Sequence, residues 1–270
     1  MAKISSSLIV KPGTKLHLSA IDPGSTPGVK DKPQAQKRTA ENLVKMSDLQ
    51  YKLYAEAKRS LLIVLQGIDA GGKDGTIRHV MEAFNPLATK VTAFKAPDGA
   101  ERRHDYLWRI HKASPEQGEI AIFNRSHYED VLVVRVHNLV PKTVWEKRYD
   151  HINQFEKLLT DNGTTILKFF LYISKEEQKA RFEERLADGS KNWKFSMGDL
   201  KEREHWDEYM RAFEAAISKC STGHSPWHVI PANKKWYRNL AVSEVITETM
   251  EAMDLKYPKV DLDPKTVKIV

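Results

Sequence analysis

Cysteine and long apolar runs are the two features that this sequence most clearly lacks. Cys220 is the only cysteine among the 270 residues, which excludes a disulfide framework and a cluster of thiolate metal ligands. No apolar stretch approaches the roughly 18 residues of a membrane span, and the first residues contain none that is long enough for a secretory signal. We therefore expect a cytoplasmic protein without a membrane partner.

The chain also has little net charge outside its N-terminal part. Its formal net charge is +7, and residues 1–60 hold eleven Lys and Arg against five Asp and Glu, so residues 61–270 are nearly neutral. A basic binding surface in the larger part must come from the arrangement of its charges, because their numbers are balanced. One alternative that this composition leaves open is a nucleic-acid-binding protein that uses the basic N-terminal arm.

The length of the chain favours one large α/β domain with attachments. Four prolines and three glycines within residues 1–35 are typical of an extended arm with little regular structure, and such arms often cross a neighbouring subunit or the domain surface. We expect the folded domain over residues 36–257, beginning with a helix over residues 36–58. Residues 258–270 are expected to form a loosely attached tail.

A glycine-rich turn between a strand and a helix is the most informative stretch of the sequence. The continuous apolar run from Leu61 to Leu65 predicts a strand that is buried on both faces. Gly67, Gly72 and Lys73 then form the spacing G-x-x-x-x-G-K, and apolar residues at helical spacing follow. Strand, glycine loop and helix stand in the order of a P-loop.

The residue types of this loop suit an oligophosphate, which needs closely spaced backbone N–H donors, the positive end of a helix and a mobile ammonium. Asp74 follows the lysine, where a Ser or Thr usually ligates Mg²⁺, and Asp69 is a second acid inside the loop. Two acids in an anion-binding loop make sense mainly if a divalent cation neutralises them. The alternative is a Gly-rich turn that binds nothing. The candidate binding residues are Gly71, Gly72, Lys73, Asp74, Gly75 and Thr76.

Four further apolar stretches predict strands. They span residues 90–94, 119–124, 164–173 and 227–231. The stretch 164–173 is the most apolar of them, so we expect it at the centre of a parallel sheet. A long helix over residues 142–161 and a last amphipathic helix that ends at Met253 complete the predicted elements.

Polar residues follow two of these strands, at the ends where open α/β sheets bind their ligands. The second strand is followed by Lys95, Arg102, Arg103 and Arg109, which a solvated helix face would also explain. Asn124 stands at the tip of the third strand, where an Asp would be expected. Glu129 and Asp130 could supply the carboxylate that P-loop enzymes use as a second magnesium anchor. The alternative is that both acids favour the N-terminal end of a helix.

A charged segment over residues 175–206 has the pattern of a helical lid. Arg181 and Arg185 share one helical face, and Lys191 and Lys194 follow after a glycine. Arginines on a lid would meet a phosphate site, whereas a surface helix with many ion pairs would show the same spacing. After the fifth strand, four residues could contact a nucleotide base or ribose: Asn233, Lys234, Lys235 and Arg238.

Several motifs in the same order resemble the type-2 polyphosphate kinase family. They are Gly-Ile-Asp-Ala-Gly-Gly-Lys-Asp-Gly at 67–75, Asp-Tyr-Leu-Trp-Arg at 105–109, Phe-Asn-Arg-Ser-His-Tyr-Glu-Asp at 123–130, Trp-Lys-Phe at 193–195 and Trp-His-Val-Ile-Pro-Ala-Asn-Lys-Lys-Trp-Tyr-Arg at 227–238. The likeness covers most of residues 40–255. It implies a P-loop kinase fold, a three-layer α/β/α sandwich with a five-stranded parallel sheet and a helical lid.

The resemblance also implies a set of site residues. It makes Asp69, Lys73 and Arg125 catalytic, and we add Asp130 to the predicted catalytic residues, with Asp69 and Asp130 holding Mg²⁺ or Mn²⁺. Polyphosphate would be bound by the loop residues 71–76 together with Arg125, Arg181, Arg185 and Lys194. The nucleotide would be bound by Lys95, Arg103, Arg109, Asn124, Glu129 and Arg135. Many members have Asp at the position of Asn124, which puts metal ligation there in doubt.

The activity that the resemblance implies is a reversible, metal-dependent transfer between inorganic polyphosphate and nucleotides. Asp74 and the Glu129-Asp130 pair resemble the subgroup that phosphorylates both AMP and ADP, giving ADP and ATP. The family also implies a homo-oligomer, a dimer or a tetramer, and no nucleic-acid partner. The rival interpretations are an ATP-dependent nucleoside monophosphate kinase, the nucleic-acid-binding protein described above, and a silent scaffold with a degenerate P-loop.

Overall fold

The computed structural model describes residues 4–190, 192–259 and 261 of the chain. The strands of this part are β1 Ser60–Gln66, β2 Thr89–Ala93, β3 Ile120–Asn124, β4 Thr164–Tyr172 and β5 Trp227–Pro231. Its α-helices are α1 Ile4–Leu8, α2 Lys32–Glu56, α3 Lys73–Val80, α4 Trp108–Ala113, α5 Val133–Val136, α6 Lys142–Trp145, α7 Arg148–Asp161, α8 Lys175–Ala187, α9 Met197–Glu204, α10 Trp206–Cys220 and α11 Lys235–Ala252. Short 3-10 helices lie at Leu18–Ala20, Met81–Ala83, Pro86–Ala88, Glu101–Arg103, His127–Val131 and Asn192–Lys194.

The strands form one parallel sheet in the order β2-β3-β1-β4-β5. The predicted α/β fold with a five-stranded parallel sheet is therefore confirmed. The prediction that the stretch 164–173 is the central strand is wrong, because β1 lies in the middle and β4 lies beside it. Both strands are interior and almost wholly buried, so apolar content alone does not rank them.

Helices cover both faces of the sheet, and β4 shows how the two layers are divided. Successive side chains of a strand point to opposite faces. Lys168 and Phe170 point toward α7 and α10, where the ring of Phe170 lies 4.3 Å from that of Phe213 between centroids. The intervening Phe169 points to the opposite face, which α11 covers with α2 and α3 packed against it.

The parallel pairing of β1 with β3 brings two loops together at one edge of the sheet. Leu65, near the end of β1, pairs with Asn124, the last residue of β3. Neighbouring strands lie about 4.8 Å apart, so the glycine loop after β1 and the segment after β3 begin side by side. The fold thus assembles the candidate site from segments that are distant in the sequence.

The N-terminal arm packs along the domain of its own chain. Ile4 and Leu18 are buried, and Ile9 forms an antiparallel bridge with His228 of β5. The arm thereby covers an edge strand that would otherwise expose its backbone groups. Short helices interrupt its extended path, which the sequence analysis did not predict. The division of the chain into arm, domain and tail remains a prediction.

Two predicted helices differ from those observed. α2 begins at Lys32, four residues earlier than expected, because Asp31 caps it by accepting a hydrogen bond from the backbone N–H of Gln34 at 2.9 Å. The predicted helix over residues 142–161 is interrupted between α6 and α7. The buried rings of Trp145 and Tyr149 flank this break and pack edge to face, with centroids 6.3 Å apart.

The lid and the C-terminal tail complete the chain. The predicted lid corresponds to α8, the turn Asn192–Lys194 and α9. Lys191 and most of the predicted tail, residues 260 and 262–270, lie outside the described residues. Among the helices of the described part, each is too short or too polar to cross a membrane.

The position of β1 at the centre of the core predicts a large effect of truncation there. Leu62 is fully buried in β1, whereas Leu87 is 86% exposed just before β2. Leu62→Ala should lower the free energy of unfolding by about 2–5 kcal/mol, because it removes apolar contacts and leaves a cavity. Leu87→Ala is the matched control and should change it by no more than about 0.5 kcal/mol. Urea unfolding of both variants measures the difference, and equal losses would contradict the central position of β1.

Candidate functional site

The glycine loop between β1 and α3 adopts a conformation that demands its glycines. Gly72, which precedes α3, has a φ of 105°, in the left-handed region. A Cβ at Gly72 would lie 2.2 Å from Nη1 of Arg238, and one at Gly71 would lie 2.8 Å from the carbonyl oxygen of Ile68. The loop is therefore closely packed on both sides, and its amides lead into the N-terminus of α3, as anion binding requires.

The side chain of Lys73 turns back to the start of this loop. Its Nζ donates hydrogen bonds to the carbonyl oxygens of Gly67 at 2.6 Å and of Ile68 at 3.2 Å. Burial lowers the pKa of Lys73, although the negative charge of Asp69 opposes this effect. The ammonium is held by neutral carbonyl groups, so its positive charge is available to an anion in the loop.

Asp69 and Arg125 form an ion pair across the two loops at the sheet edge. Nη2 of Arg125 donates to Oδ1 of Asp69 at 2.7 Å. Arg125 has a φ of 63°, unusual for a residue with a side chain, which turns the chain sharply at the end of β3. Burial opposes the charge of Arg125, but the acids Glu129 and Asp69 outweigh it and raise the pKa of Arg125.

A pocket of about 300 Å³ opens at this ion pair. It is lined by Gly67, Ile68, Asp69, Arg125, Glu129, Leu132, Val133, Gly198, Asp199, Glu202, Tyr209 and Phe213. Burial raises the pKa of Glu129, opposed by the positive charges of Arg125 and Lys73. The pocket therefore combines one cation, Arg125, with four acids, two of which, Asp199 and Glu202, lie on the wall that the helix α9 supplies.

The lid helix α9 is held against the domain by its own acids. Oε2 of Glu202 accepts a hydrogen bond from the hydroxyl of Tyr209 at 2.6 Å and lies 3.0 Å from Nε2 of His137. Arg185, which was predicted to bind polyphosphate, instead donates from Nη1 to the carboxylate of Asp199 on α9 at 3.4 Å. In this structure α9 therefore forms one wall of the pocket.

Arg181 and Arg238 lie behind the loop. Arg181 donates from Nη1 to the carbonyl oxygen of Ala70 at 2.8 Å and from Nη2 to that of Ala232 at 2.5 Å, which ties the loop to the end of β5. Arg238 is buried against Gly72, and burial together with the charge of Arg181 lowers the pKa of Arg238 to about 10. Arg181 was predicted to bind polyphosphate and Arg238 to contact a base or ribose, but both guanidinium groups contact the loop itself.

Asn124, at the tip of β3, and Asp130, in the segment that follows, have separate partners. Asp74 accepts a hydrogen bond from Nδ2 of Asn124 at 2.8 Å, and Asp130 accepts one from Nη1 of Arg148 at 2.8 Å. Burial raises the pKa of Asp130 to about 6, opposed by Arg148. Asp130 is not among the described residues that line the pocket, because its backbone turn directs the carboxyl toward Arg148. The structure brings Glu129, and not Asp130, beside Asp69.

Most of the other predicted ligands have contacts outside this pocket. Arg109 donates to the carbonyl oxygen of Lys95 at 2.8 Å, and Arg135 donates to the hydroxyl of Tyr149 at 3.2 Å. Neither of them, nor the exposed Arg103, is among the described residues that line the pocket. Gly75 packs beside Arg238, and the hydroxyl of Thr76 donates to the backbone of its own helix at Gly72. The side chain of Lys194 lies outside the described part.

The carboxylates of the pocket can be tested as ligands for a divalent cation. Within the described residues, no group of three or more His, Cys, Asp or Glu side chains gathers to hold a metal ion. Mg²⁺ does not need such a cage, since it is usually bound by one or two carboxylates, waters and substrate phosphates. Asp69 and Glu129, which line the same pocket, fit this mode of binding.

Sequence reasoning missed the part of the pocket that the lid contributes. Asp199 and Glu202 stand three residues apart, a spacing that places both on one helical face and could have identified them as a pair. Arg148 carries no such signal, because packing across 18 residues of sequence brings it to Asp130, and Tyr209 meets Glu202 across the junction between α9 and α10.

Comparison with known proteins gives matches across nearly the whole chain. The family described as Polyphosphate kinase 2 (PPK2) matches residues 29–258. The AMP/ADP-polyphosphate phosphotransferase of Meiothermus ruber is 52% identical over 251 residues, 93% of this chain and 94% of the relative. The ADP-polyphosphate phosphotransferase of Rhodopseudomonas palustris is 47% identical over 227 residues, 80% of this chain and 78% of the relative. The crystal structure of Polyphosphate Kinase 2 from Arthrobacter aurescens TC1 superposes with a TM-score of 0.94 at 44% identity and covers 98% of this chain and 94% of that chain.

The conformation of Gly72 predicts that a side chain is not tolerated there. Gly72→Ala should lower the free energy of unfolding by more than about 1 kcal/mol, because alanine disfavours the positive φ and its Cβ would displace Arg238. Gly99→Ala is the control, since a Cβ at Gly99 would meet nothing within 4 Å. Urea unfolding compares the two, and equal stability of both variants would show that the loop does not hold this conformation.

Proposed function

The chain belongs to the polyphosphate kinase 2 family, and on this premise we propose that it transfers the terminal phosphoryl group of inorganic polyphosphate to AMP and ADP. The observation that carries the proposal is a pocket lined by the Asp69–Arg125 pair and by the start of the glycine loop, where the buried Lys73 donates hydrogen bonds to the carbonyl oxygens of Gly67 and Ile68. The relative from Meiothermus ruber, whose name includes both acceptors, supports the choice of AMP and ADP. The last P–O–P bond of the polymer breaks, and the released phosphoryl group forms a new P–O–P bond with the terminal phosphate of the acceptor.

The donor would be held by the loop amides and by cations. A polyphosphate chain has roughly one negative charge per residue, so its end needs several positive groups at once. The amides from Gly71 to Gly75 and the ammonium of Lys73 would bind the terminal phosphate, and Arg125 would neutralise charge on the transferred group. In such transfers, positioning and charge neutralisation contribute most of the catalysis.

A divalent cation, Mg²⁺ or Mn²⁺, would be held by Asp69 with Glu129 and by the bound phosphates, and it would neutralise charge on them. This assignment follows the shared pocket of the two acids, and it replaces the predicted pair of Asp69 and Asp130. Asp130 would then act on the acceptor side by holding Arg148. The remaining predicted nucleotide ligands, Lys95, Arg103, Arg109, Asn124 and Arg135, stay proposals for that side.

The lid would keep water out of the transfer. α9 forms one wall of the pocket and is bound to Tyr209 through Glu202. Exclusion of water strengthens the charge interactions in the pocket and prevents hydrolysis of the donor. Arg185, at the side of Asp199, could exchange this partner for a phosphate when polyphosphate enters. The cytoplasmic location and the homo-oligomeric state stay predictions from the sequence.

An assay without ATP separates the proposal from its nearest rival. Purified enzyme, Mg²⁺, AMP and nucleotide-free polyphosphate should yield ADP first and ATP later, because the polymer alone can act as donor. Chromatography of the nucleotides measures both products. An ATP-dependent nucleoside monophosphate kinase makes neither product from this mixture, so the absence of both would overturn the proposal.

The buried ammonium of Lys73 predicts a specific loss of activity on its removal. Lys73→Ala should lower kcat with polyphosphate and AMP by about 10²–10³, the typical effect of one electrostatic group. Its far-UV circular dichroism should match that of the wild type. Lys157→Ala, which removes an exposed lysine paired with Asp161 on α7, is the control and should retain full activity. Retained activity in Lys73→Ala would contradict the assigned role.

A further inference from the structure

A fully buried ion pair lies beneath the site, away from the pocket. Nζ of Lys168, on β4, donates to Oε2 of Glu156, on α7, at 2.5 Å, and both side chains have no exposed area. The ammonium also donates to the carbonyl oxygen of Cys220 at 2.7 Å, and the hydroxyl of Ser225 donates to the same carboxylate oxygen at 2.6 Å. These contacts satisfy both charged groups within the protein.

The second oxygen of Glu156 contacts the segment that carries the site residues. Oε1 accepts a hydrogen bond from the hydroxyl of Tyr128 at 2.8 Å and lies 3.1 Å from Nε2 of His127. Tyr128 and His127 are themselves fully buried. They belong to the turn that follows Arg125 and contains Glu129, so one carboxylate holds this turn from the side opposite the pocket.

The turn needs such support because its backbone is not an intrinsically preferred one. Arg125 has a positive φ, and residues in this region persist where the surroundings hold them. Ser126 gives a second anchor, since its hydroxyl oxygen accepts a hydrogen bond from Nε2 of Gln66 at 3.0 Å. The ion pair and this anchor together fix the direction in which Arg125 and Glu129 enter the pocket.

Stability alone does not account for a buried pair at this place. Taking two charges out of water is costly, and well-packed apolar residues of similar volume are often equally or more stabilising. Burial opposes the ionisation of Glu156, but the charge of Lys168 and the hydrogen bonds from His127 and Lys168 outweigh it and lower the pKa of Glu156 to about 2. The carboxylate is therefore ionised at every physiological pH, with an oxygen that can bind two side chains of the turn at once.

We propose that Glu156, held by Lys168, is a positioning residue that fixes the turn 125–131 and thereby the placement of Arg125 and Glu129 at the transferred phosphoryl group. The proposal rests on the proposed function for its catalytic readout. Glu156 touches neither substrate nor the reacting atoms. It acts through Tyr128 and His127, and a misplacement of about 1 Å at a reacting group can lower a rate by about 10²-fold.

The test compares a single variant with a double variant. Glu156→Gln leaves Lys168 as a buried charge without its carboxylate, so it should lower both the thermal midpoint and, by about 10²-fold, kcat per folded enzyme. The double variant Glu156→Leu with Lys168→Met removes both buried charges and leaves no hydrogen-bond acceptor at position 156. The double variant should recover most of the thermal midpoint but not kcat, because the contacts to the turn stay lost. Recovery of both would show that the pair is only structural.

A third variant tests the contact between Tyr128 and Glu156, and a surface variant serves as its control. Tyr128→Phe keeps the ion pair and removes the hydroxyl that hydrogen-bonds both Glu156 and Lys168, so it should lower kcat several-fold. Asp161→Asn breaks the exposed pair with Lys157 on the same helix and should change neither quantity. Full kcat in Glu156→Gln, measured well below its thermal midpoint, would overturn the proposal.

Amide hydrogen exchange of residues 125–131 without substrate gives a readout that does not depend on activity. Exchange in this turn should be faster in Glu156→Gln and in the double variant than in the wild type. Unchanged exchange would refute the positioning role even if kcat falls. A wild type that makes no ADP from polyphosphate would refute the proposed function instead, and the exchange data would still decide the role of Glu156.

Discussion

The buried ammonium of Lys73 is the interaction on which the rest of the site depends. It is held by two neutral carbonyl groups under a glycine loop, and its burial carries a cost that a bound anion would offset. Behind the loop, Arg181 and Arg238 add two further positive charges close to Gly72. Around the backbone amides of the loop, the cations of Lys73, Arg181 and Arg238 thus outnumber the loop acids Asp69 and Asp74, which suits a donor made entirely of phosphate.

The fold supplies the opposing charges from a neighbouring strand. Because β1 and β3 are adjacent and parallel, Asp69 and Arg125 meet at the carboxyl edge of the sheet. The same edge brings Glu129 into the pocket, and Asp199 and Glu202 of α9 form part of its wall. Phosphoryl transfer requires this combination of cations near the oxygens and acids that can share a divalent ion. The buried Glu156–Lys168 pair extends the arrangement inward, since it holds the turn on which two of these residues lie.

Local patterns predicted the strands and the loop well, because the apolar run of a strand and the spacing of a loop are both written in neighbouring residues. Apolar runs identified all five strands, and the spacing of Gly67, Gly72 and Lys73 identified the loop. Local patterns do not encode the partner of a side chain, since tertiary packing selects it. Asp130 turns to Arg148, and Arg181 binds backbone carbonyls although its position on the lid helix resembles that of a phosphate ligand. The order of interior strands likewise follows from pairing, which apolar content does not encode.

The most direct test of the account is a crystal structure of the protein with a short polyphosphate chain and no nucleotide donor. The account predicts that the chain ends in the glycine loop, with its terminal phosphate within hydrogen-bond distance of the ammonium of Lys73 and the amides that lead into α3. A loop that stays empty in that crystal, and fills only when ATP is supplied, would contradict the claim that the polymer is the donor.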